Sequence, residues 1–97
     1  MLVEITDLAK SDIEFILDYT EGQWGEKQMN IYNDLLFDGI QDIAKNPLSA
    51  YSKRVGEYKE MLRYLRVKKH HIYYTVYEDI IYINRILHGQ MNPNLHL

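Results

Sequence analysis

Met61-Leu62-Arg63-Tyr64-Leu65-Arg66-Val67, His70-His71-Ile72-Tyr73-Tyr74-Thr75-Val76-Tyr77 and Ile80-Ile81-Tyr82-Ile83-Asn84-Arg85-Ile86-Leu87-His88 decide the fold. Each run alternates with the period of two that a pleated strand imposes. Met61, Arg63, Leu65 and Val67 share one side of the first run, and Leu62, Tyr64 and Arg66 the other. Ile72, Tyr74 and Val76 oppose His71, Tyr73, Thr75 and Tyr77. Ile81, Ile83 and Leu87 oppose Ile80, Tyr82, Asn84, Ile86 and His88. Only Lys68-Lys69 and Glu78-Asp79 separate the runs, so the pattern predicts an antiparallel three-stranded meander.

Upstream the period changes. Leu48 to Lys59 is polar without a clear repeat and reads as a loop. Before it, Met29, Tyr32, Leu36, Ile40 and Ile43 recur at helical spacing until Asn46-Pro47, where the residue before proline disfavours helix. An earlier helix is marked by Ala9, Ile13, Ile16 and Thr20, with Phe15, Leu17 and Tyr19 flanking. Asp7, Asp12, Glu14, Asp18 and Glu21 form its wet side, and Thr6 or Asp7 caps its start. Gly22 and Gly25 bracket Gln23-Trp24, which reads as the turn of an antiparallel helix hairpin. Leu2 to Ile5 is an edge strand. The expected order is strand, helix, helix, then three strands: a two-layer α+β domain with the helix pair on one sheet face.

The chain of 97 residues makes one domain, 1–97, with residues 89–97 as a tail. It contains no cysteine, which excludes disulfides and thiolate metal sites. The start, Met1 to Ile5, does not read as a signal peptide, and no run has the roughly 20 apolar residues that span a bilayer. These features lead to the expectation of a cytoplasmic protein without membrane contact. Net charge is −3, and it is unevenly divided. Residues 1–47 carry ten acidic and three basic groups, whereas residues 48–97 carry four acidic and eight basic. Such a split fits two surfaces with different partners, and equally the acidic solvent face of an amphipathic helix pair.

The sheet face away from the helices is the informative one. Alternation places Tyr64, Tyr73, Tyr77 and Tyr82 there, with Arg66, His71 and His88 nearby. Tyrosine and arginine anchor interfaces because they join large apolar area to polar ends. Tyrosines also stack on nucleobases. Other chemistry is absent. His70 and His71 point to opposite strand faces, which makes them poor joint metal ligands. Gly22 and Gly25 do not follow a strand, so they form no phosphate-cradling loop. No cofactor is expected.

The order of elements resembles that of the RelE/ParE superfamily, and several segments resemble ParE in particular. They are Asp12-Ile13 with Ile16 and Tyr19, the Gln23-Trp24-Gly25 turn, Tyr32, and Ile43-Ala44 followed by Asn46-Pro47. His71-Ile72-Tyr73-Tyr74-Thr75-Val76 is similar to the family's His-x-apolar-aromatic-Tyr-x-Val strand, with His70 or His71 in the first place. Arg85-Ile86-Leu87-His88 before Met91-Asn92 resembles its R-I-L-H-x-x-M-D ending. The resemblance implies a toxin of a type II toxin–antitoxin system that poisons DNA gyrase, blocks replication and is not itself an enzyme. It also implies a ParD-like antitoxin whose C-terminal segment wraps the toxin and whose ribbon-helix-helix dimer binds operator DNA. Family members are often basic, whereas this chain has a pI near 5.7, which argues against direct binding of nucleic acid and motivates a further alternative, an inactive toxin homologue acting as an interaction module.

The superfamily's RelE branch cleaves mRNA on the ribosome, which needs a base, an acid and cations for the phosphate. For that chemistry the candidates are His71, His88, Arg63, Arg66 and Arg85, with Glu57 or Glu60 as base. Met91-Asn92-Pro93 stands where RelE-like sites carry a C-terminal tyrosine. Structural readings compete at two positions. His88 also reads as a hydrogen-bonded strand terminus, and Arg85 as an arginine paired with a helix acid. As partner contacts the sequence offers Trp24, Tyr64, Arg66, Tyr73, Tyr77, Tyr82, His88 and Met91, although Trp24 also reads as a plug at the hairpin end. An antitoxin segment, disordered when free, is expected to cross the helix-pair edge and the sheet. The apolar surface it covers would favour self-association when unmasked, and a toxin homodimer inside the complex is a further expectation.

Overall fold

A computed structural model describes residues 1–49, 52–55, 62–91 and 96. The elements are β1 (Leu2–Ile5), α1 (Asp7–Trp24), α2 (Glu26–Lys45), β2 (Ser52–Arg54), β3 (Leu62–Val67), β4 (His70–Tyr77) and β5 (Ile80–His88). They form one five-stranded sheet in the order β1-β5-β4-β3-β2. β1 runs parallel to β5, and the other neighbours are antiparallel. The two helices cover one face, α1 against β5 and α2 against β3, so the expected two-layer α+β architecture is present.

Local chemistry sets the helix ends. Thr6 is extended and its hydroxyl accepts from the Ala9 N–H at 3.2 Å, which caps α1. Gly25 has φ +91°, a conformation that a Cβ would strain. Its N–H donates to the Glu21 carbonyl and its own carbonyl accepts from the Met29 N–H. A single glycine therefore closes one helix and opens the next. Gly22, Gln23 and Trp24 belong to α1, so the expected four-residue turn shrinks to this one position. Trp24 is 73% exposed and plugs nothing.

Both helices bury the stripes their periodicity marks. Ala9, Ile13 and Ile16 of α1 and Leu36, Ile40 and Ile43 of α2 pack on Ile72, Tyr74, Ile81, Ile83 and Ile86. Gly39 lets α2 approach the sheet closely: a Cβ there would lie 2.7 Å from Val67 Cγ2.

Two features depart from the sequence reading. The expected loop contains β2, which pairs Ser52 with Leu65 and Arg54 with Arg63 and makes the meander four strands long. β2 is short and polar, and it is held by a buried network rather than by an apolar repeat. The Tyr74 hydroxyl donates to the Pro47 carbonyl at 2.5 Å and accepts from the Ser52 hydroxyl, which in turn accepts from Arg63 Nε at 2.8 Å. Arg63 Nη2 also donates to the Ser52 carbonyl at 2.9 Å.

The second departure is a β-bulge in β5. Tyr73 pairs with Arg85 and Tyr74 with Ile83, leaving Asn84 as the extra residue. Beyond it every side chain changes face. Ile86 enters the core and His88 joins the helix side, while Arg85 and Leu87 move to the outer face, the reverse of the expected placement of Ile86, Leu87 and His88. The bulge falls where β1 ends, its pairing stopping at Ile5 opposite Ile83. Thr6 then turns away, and its hydroxyl donates to the Asn84 carbonyl at 3.0 Å. The Asn84 amide donates to the Thr75 hydroxyl at 3.3 Å.

Candidate functional site

The outer sheet face holds the predicted aromatic cluster. Tyr64, Arg66, His71, Tyr73, Thr75 and Tyr77 fall there by register, with Tyr82 on β5. The Tyr64 ring stacks on His71 at 4.4 Å between centroids and lies 5.7 Å from Tyr73. Tyr73 is only 3% exposed, because Leu62, Leu87, Val55 and Tyr64 pack around it as a small second core. Its burial, and then the neighbouring Tyr64, raise its hydroxyl pKa. Tyr73 is therefore the floor of the face and not a contact on it. Tyr77 is exposed, and Tyr64 and Tyr82 are half-buried. Arg66 is exposed, its Nε donating to the Lys68 carbonyl at 2.8 Å. Burial, then Arg66 and His88, lower the His71 pKa and favour its neutral form.

The other expected site residues lie elsewhere. His88 is on the helix side, T-shaped against His70 at 5.7 Å, and its Nδ1 accepts from the Gln90 N–H at 3.2 Å. This is the strand-terminating arrangement. Arg85 forms the ion pair anticipated with a helix acid. Its Nε and Nη2 donate to the two Asp12 oxygens at 2.8 and 3.0 Å, and the Ile86 N–H donates to Asp12 Oδ2 at 2.9 Å. The Arg85 Nη1 donates to the His96 carbonyl at 3.1 Å. The Asp12 hydrogen bond, above all, raises the Arg85 pKa. Asp12, assigned to the wet side of its helix, instead closes the edge of β5 where β1 has ended. Trp24 sits at the end of α1, and Met91 follows β5 with its N–H donating to the His88 carbonyl at 2.9 Å; both are exposed. Glu57, Glu60, Met61, Asn92 and Pro93 lie outside the described residues.

The five groups proposed for RNA cleavage do not converge. His71, Arg66 and Arg85 lie on the outer side of the sheet, whereas His88 and Arg63 face the other way. Arg63 and Arg85 are committed to protein partners. Among the described residues no group of three histidine or carboxylate side chains is placed to hold a metal ion.

His70, read in the sequence only as a poor metal ligand and as one of two candidates for the family's strand histidine, links the two layers. Its Nδ1 accepts from the Tyr32 hydroxyl of α2 at 2.5 Å. Burial, then the neighbouring His88, His71 and Lys69, lower its pKa to about 4. The unfolded chain therefore binds the proton first, and His70 contributes stability that is complete above about pH 6.5 and lost as pH falls towards 4. Since the ring is only half-buried, the expected loss is about 1–2 kcal/mol, reduced for solvent screening. Urea unfolding at pH 7 and pH 4.5 tests this, and His70→Gln should flatten the difference by that amount.

The whole arrangement has relatives. A family model described as the ParE toxin of the parDE type II toxin–antitoxin system matches residues 3–93. A search of curated proteins finds no match. Among solved structures, a chromosomal ParDE system from P. aeruginosa is similar, with a TM-score of 0.78 and 18% identity over 91% of this chain and 95% of that one. YafQ from E. coli strain BL21(DE3) has a TM-score of 0.62 and 12% identity over 90% of this chain and 91% of its own. The E. coli DinJ–YafQ complex gives 0.56 and 16%, over 89% and 90%. At these identities the solved structures speak to the fold alone. The family model carries the assignment, since its match runs through both helices and the whole meander: this chain belongs to the ParE toxin family of type II toxin–antitoxin systems.

Proposed function

We propose that this chain acts as a gyrase-directed toxin that works by surface contact, without catalysing a reaction, and that a ParD-like antitoxin neutralises it. The observation that carries the non-catalytic part is the division of the nuclease candidates between two sheet faces. A general base, a general acid and phosphate-holding cations must meet within hydrogen-bond reach of one substrate. Here His88 and Arg63 are turned from His71, and Arg85 is held by Asp12. Family membership supports the gyrase target. The outer face, with exposed Tyr77 and Arg66 and half-buried Tyr64 and Tyr82, suits protein contact. With a net charge of −3, operator DNA is reached through the antitoxin. This work is done in the cytoplasm, where gyrase and its DNA are.

A plasmid supercoiling assay tests the proposal. Micromolar protein is expected to inhibit gyrase-driven supercoiling and to leave ribosome-bound message uncut in a translation reaction. Unchanged supercoiling together with codon-positioned cuts would replace this reading with that of a RelE-like endonuclease.

A further inference from the structure

We propose that the β2–β3 margin of the outer sheet face binds the phosphate backbone of the DNA that gyrase holds. The inference rests on the gyrase target proposed above and adds a second contact to it. The basic half of the sequence gathers its charge here. Lys53 of β2, Arg66 of β3, and Lys68 and Lys69 of the following turn are all exposed. Register places Lys53 beside Tyr64 and Arg66 beside His71, all four on the outer face. Lys53 and Arg66 are thus diagonal neighbours on adjacent strands, with Cα atoms about 7–8 Å apart. The half-buried Tyr64 ring stacks on His71 beside them, and a tyrosine hydroxyl can itself donate to phosphate. Lys68 and Lys69 extend the row past the end of the ladder. Arg66 Nε donates to the Lys68 carbonyl at 2.8 Å, and the Gly89 N–H donates to the Lys69 carbonyl at 2.8 Å, so the turn is tied to both flanking strands.

The described carboxylates lie elsewhere. Glu4 is on the outer face, but beside Tyr82 at the opposite margin of the sheet. The acidic turn, Glu78-Asp79, is at the other end of β4. The rest are on the helices, where Arg85 offsets Asp12. Those helices stand behind the sheet, a layer of roughly 8–10 Å away, and exposed charges are largely screened past about 8 Å at physiological salt. Asp38 and Asp42 come nearest, lining the cleft under β3 with Arg66 and Lys68. Among the described residues neither forms an ion pair with them. An acidic chain therefore presents one basic margin. Its net charge of −3 disfavours capture of free DNA from a distance, so the contact forms on DNA that gyrase has already brought close. Tyr77 and Tyr82, away from these cations, remain for protein contact.

The test follows the anisotropy of a labelled DNA duplex of about 30 base pairs with the full chain, as salt rises from about 0.05 to 0.2 M. With four phosphate contacts, affinity should fall roughly 100-fold over that range. Lys53→Gln with Arg66→Gln removes two contacts, so the fall should shrink to about tenfold. Lys68→Gln with Lys69→Gln should repeat the effect, so the result does not depend on one variant folding. Lys10→Gln with Lys27→Gln changes net charge equally on the helices and should leave the fall unchanged. In the gyrase reaction, Lys53→Gln with Arg66→Gln should need at least tenfold more protein to accumulate linear DNA, while binding DNA-free gyrase as the unaltered chain does. Equal salt dependence in the sheet and helix variants would overturn the proposal. So would tighter binding to an RNA duplex of the same length or to a glutamate peptide, which would assign the margin to RNA or to an acidic protein surface. Duplex binding as expected from a chain without effect on gyrase defeats the target reading and leaves the phosphate site standing.

Discussion

Tyr74→Ala is expected to cost about 3–5 kcal/mol, the range for removing a large buried aromatic side chain. Small domains hold about 5–15 kcal/mol in total, so much of the population should be unfolded under mild denaturant. The ring is completely buried in the main core, between the helices and β4. Its hydroxyl holds the Pro47 carbonyl and the Ser52 hydroxyl, so the same side chain fills the core and fastens β2. Tyr74→Phe separates the two roles. It keeps the ring and leaves the Pro47 carbonyl without its donor, an expected loss of about 1–3 kcal/mol. Urea midpoints for both variants provide the measurement. Near-equal losses would mean that the hydroxyl network, and not the ring, dominates at this position.

Asp12→Ala should have the second largest effect, a loss of about 2–3 kcal/mol. One carboxylate accepts from Arg85 twice and from the Ile86 N–H once. Charge-assisted bonds of this geometry are the strong ones. The pair is partly exposed, with side-chain accessibilities of 19% and 14%, so the value stays well below that of a fully buried ion pair. A double-mutant cycle with Arg85→Ala should return a coupling above about 1 kcal/mol, because the residues share the same bonds. Amide exchange should quicken from Ile86 to His88, where Asp12 closes the strand edge. Additive losses with unaltered exchange would reduce the fork to a surface ion pair.

The helices and most of the sheet were legible in the sequence because burial enforces a period. Ala9, Ile13, Ile16 and Thr20 repeat at helical spacing and are all buried. Alternation placed Tyr64, Tyr73 and Tyr77 on the outer face, where they lie. Failures came where one residue broke the count. Asn84 is polar in a strand of isoleucines, and nothing in the period announces that it is skipped in the pairing. Its effect was to exchange the faces of Leu87 and His88. β2 escaped notice because three polar residues at a sheet edge have no apolar side to bury, and its bonds to Tyr74 and Arg63 join distant parts of the chain. Asp12 looked like any exposed helix acid, since its role depends on where β1 stops. Arg85 was legible as an ion-paired arginine because alternation set it among Ile83 and Leu87, where an unpaired guanidinium would be costly; the bulge moves it off the face of Ile83, and the pairing with Asp12 holds. Exposure could not be read for Tyr73, which alternation put on the correct face but which Leu62 and Leu87 cover.

Contact-driven poisoning of gyrase is the activity proposed for this chain, whose described nuclease candidates are divided between two sheet faces. Its most direct test is the linear DNA recovered when gyrase, plasmid and ATP are incubated with this protein and then stopped with detergent and protease. Linear plasmid should accumulate with protein concentration, and it should do so equally with His88→Ala, whose ring lies on the helix side of the sheet. No linear DNA at any concentration, with message cut on the ribosome and the cuts lost in His88→Ala, would contradict it.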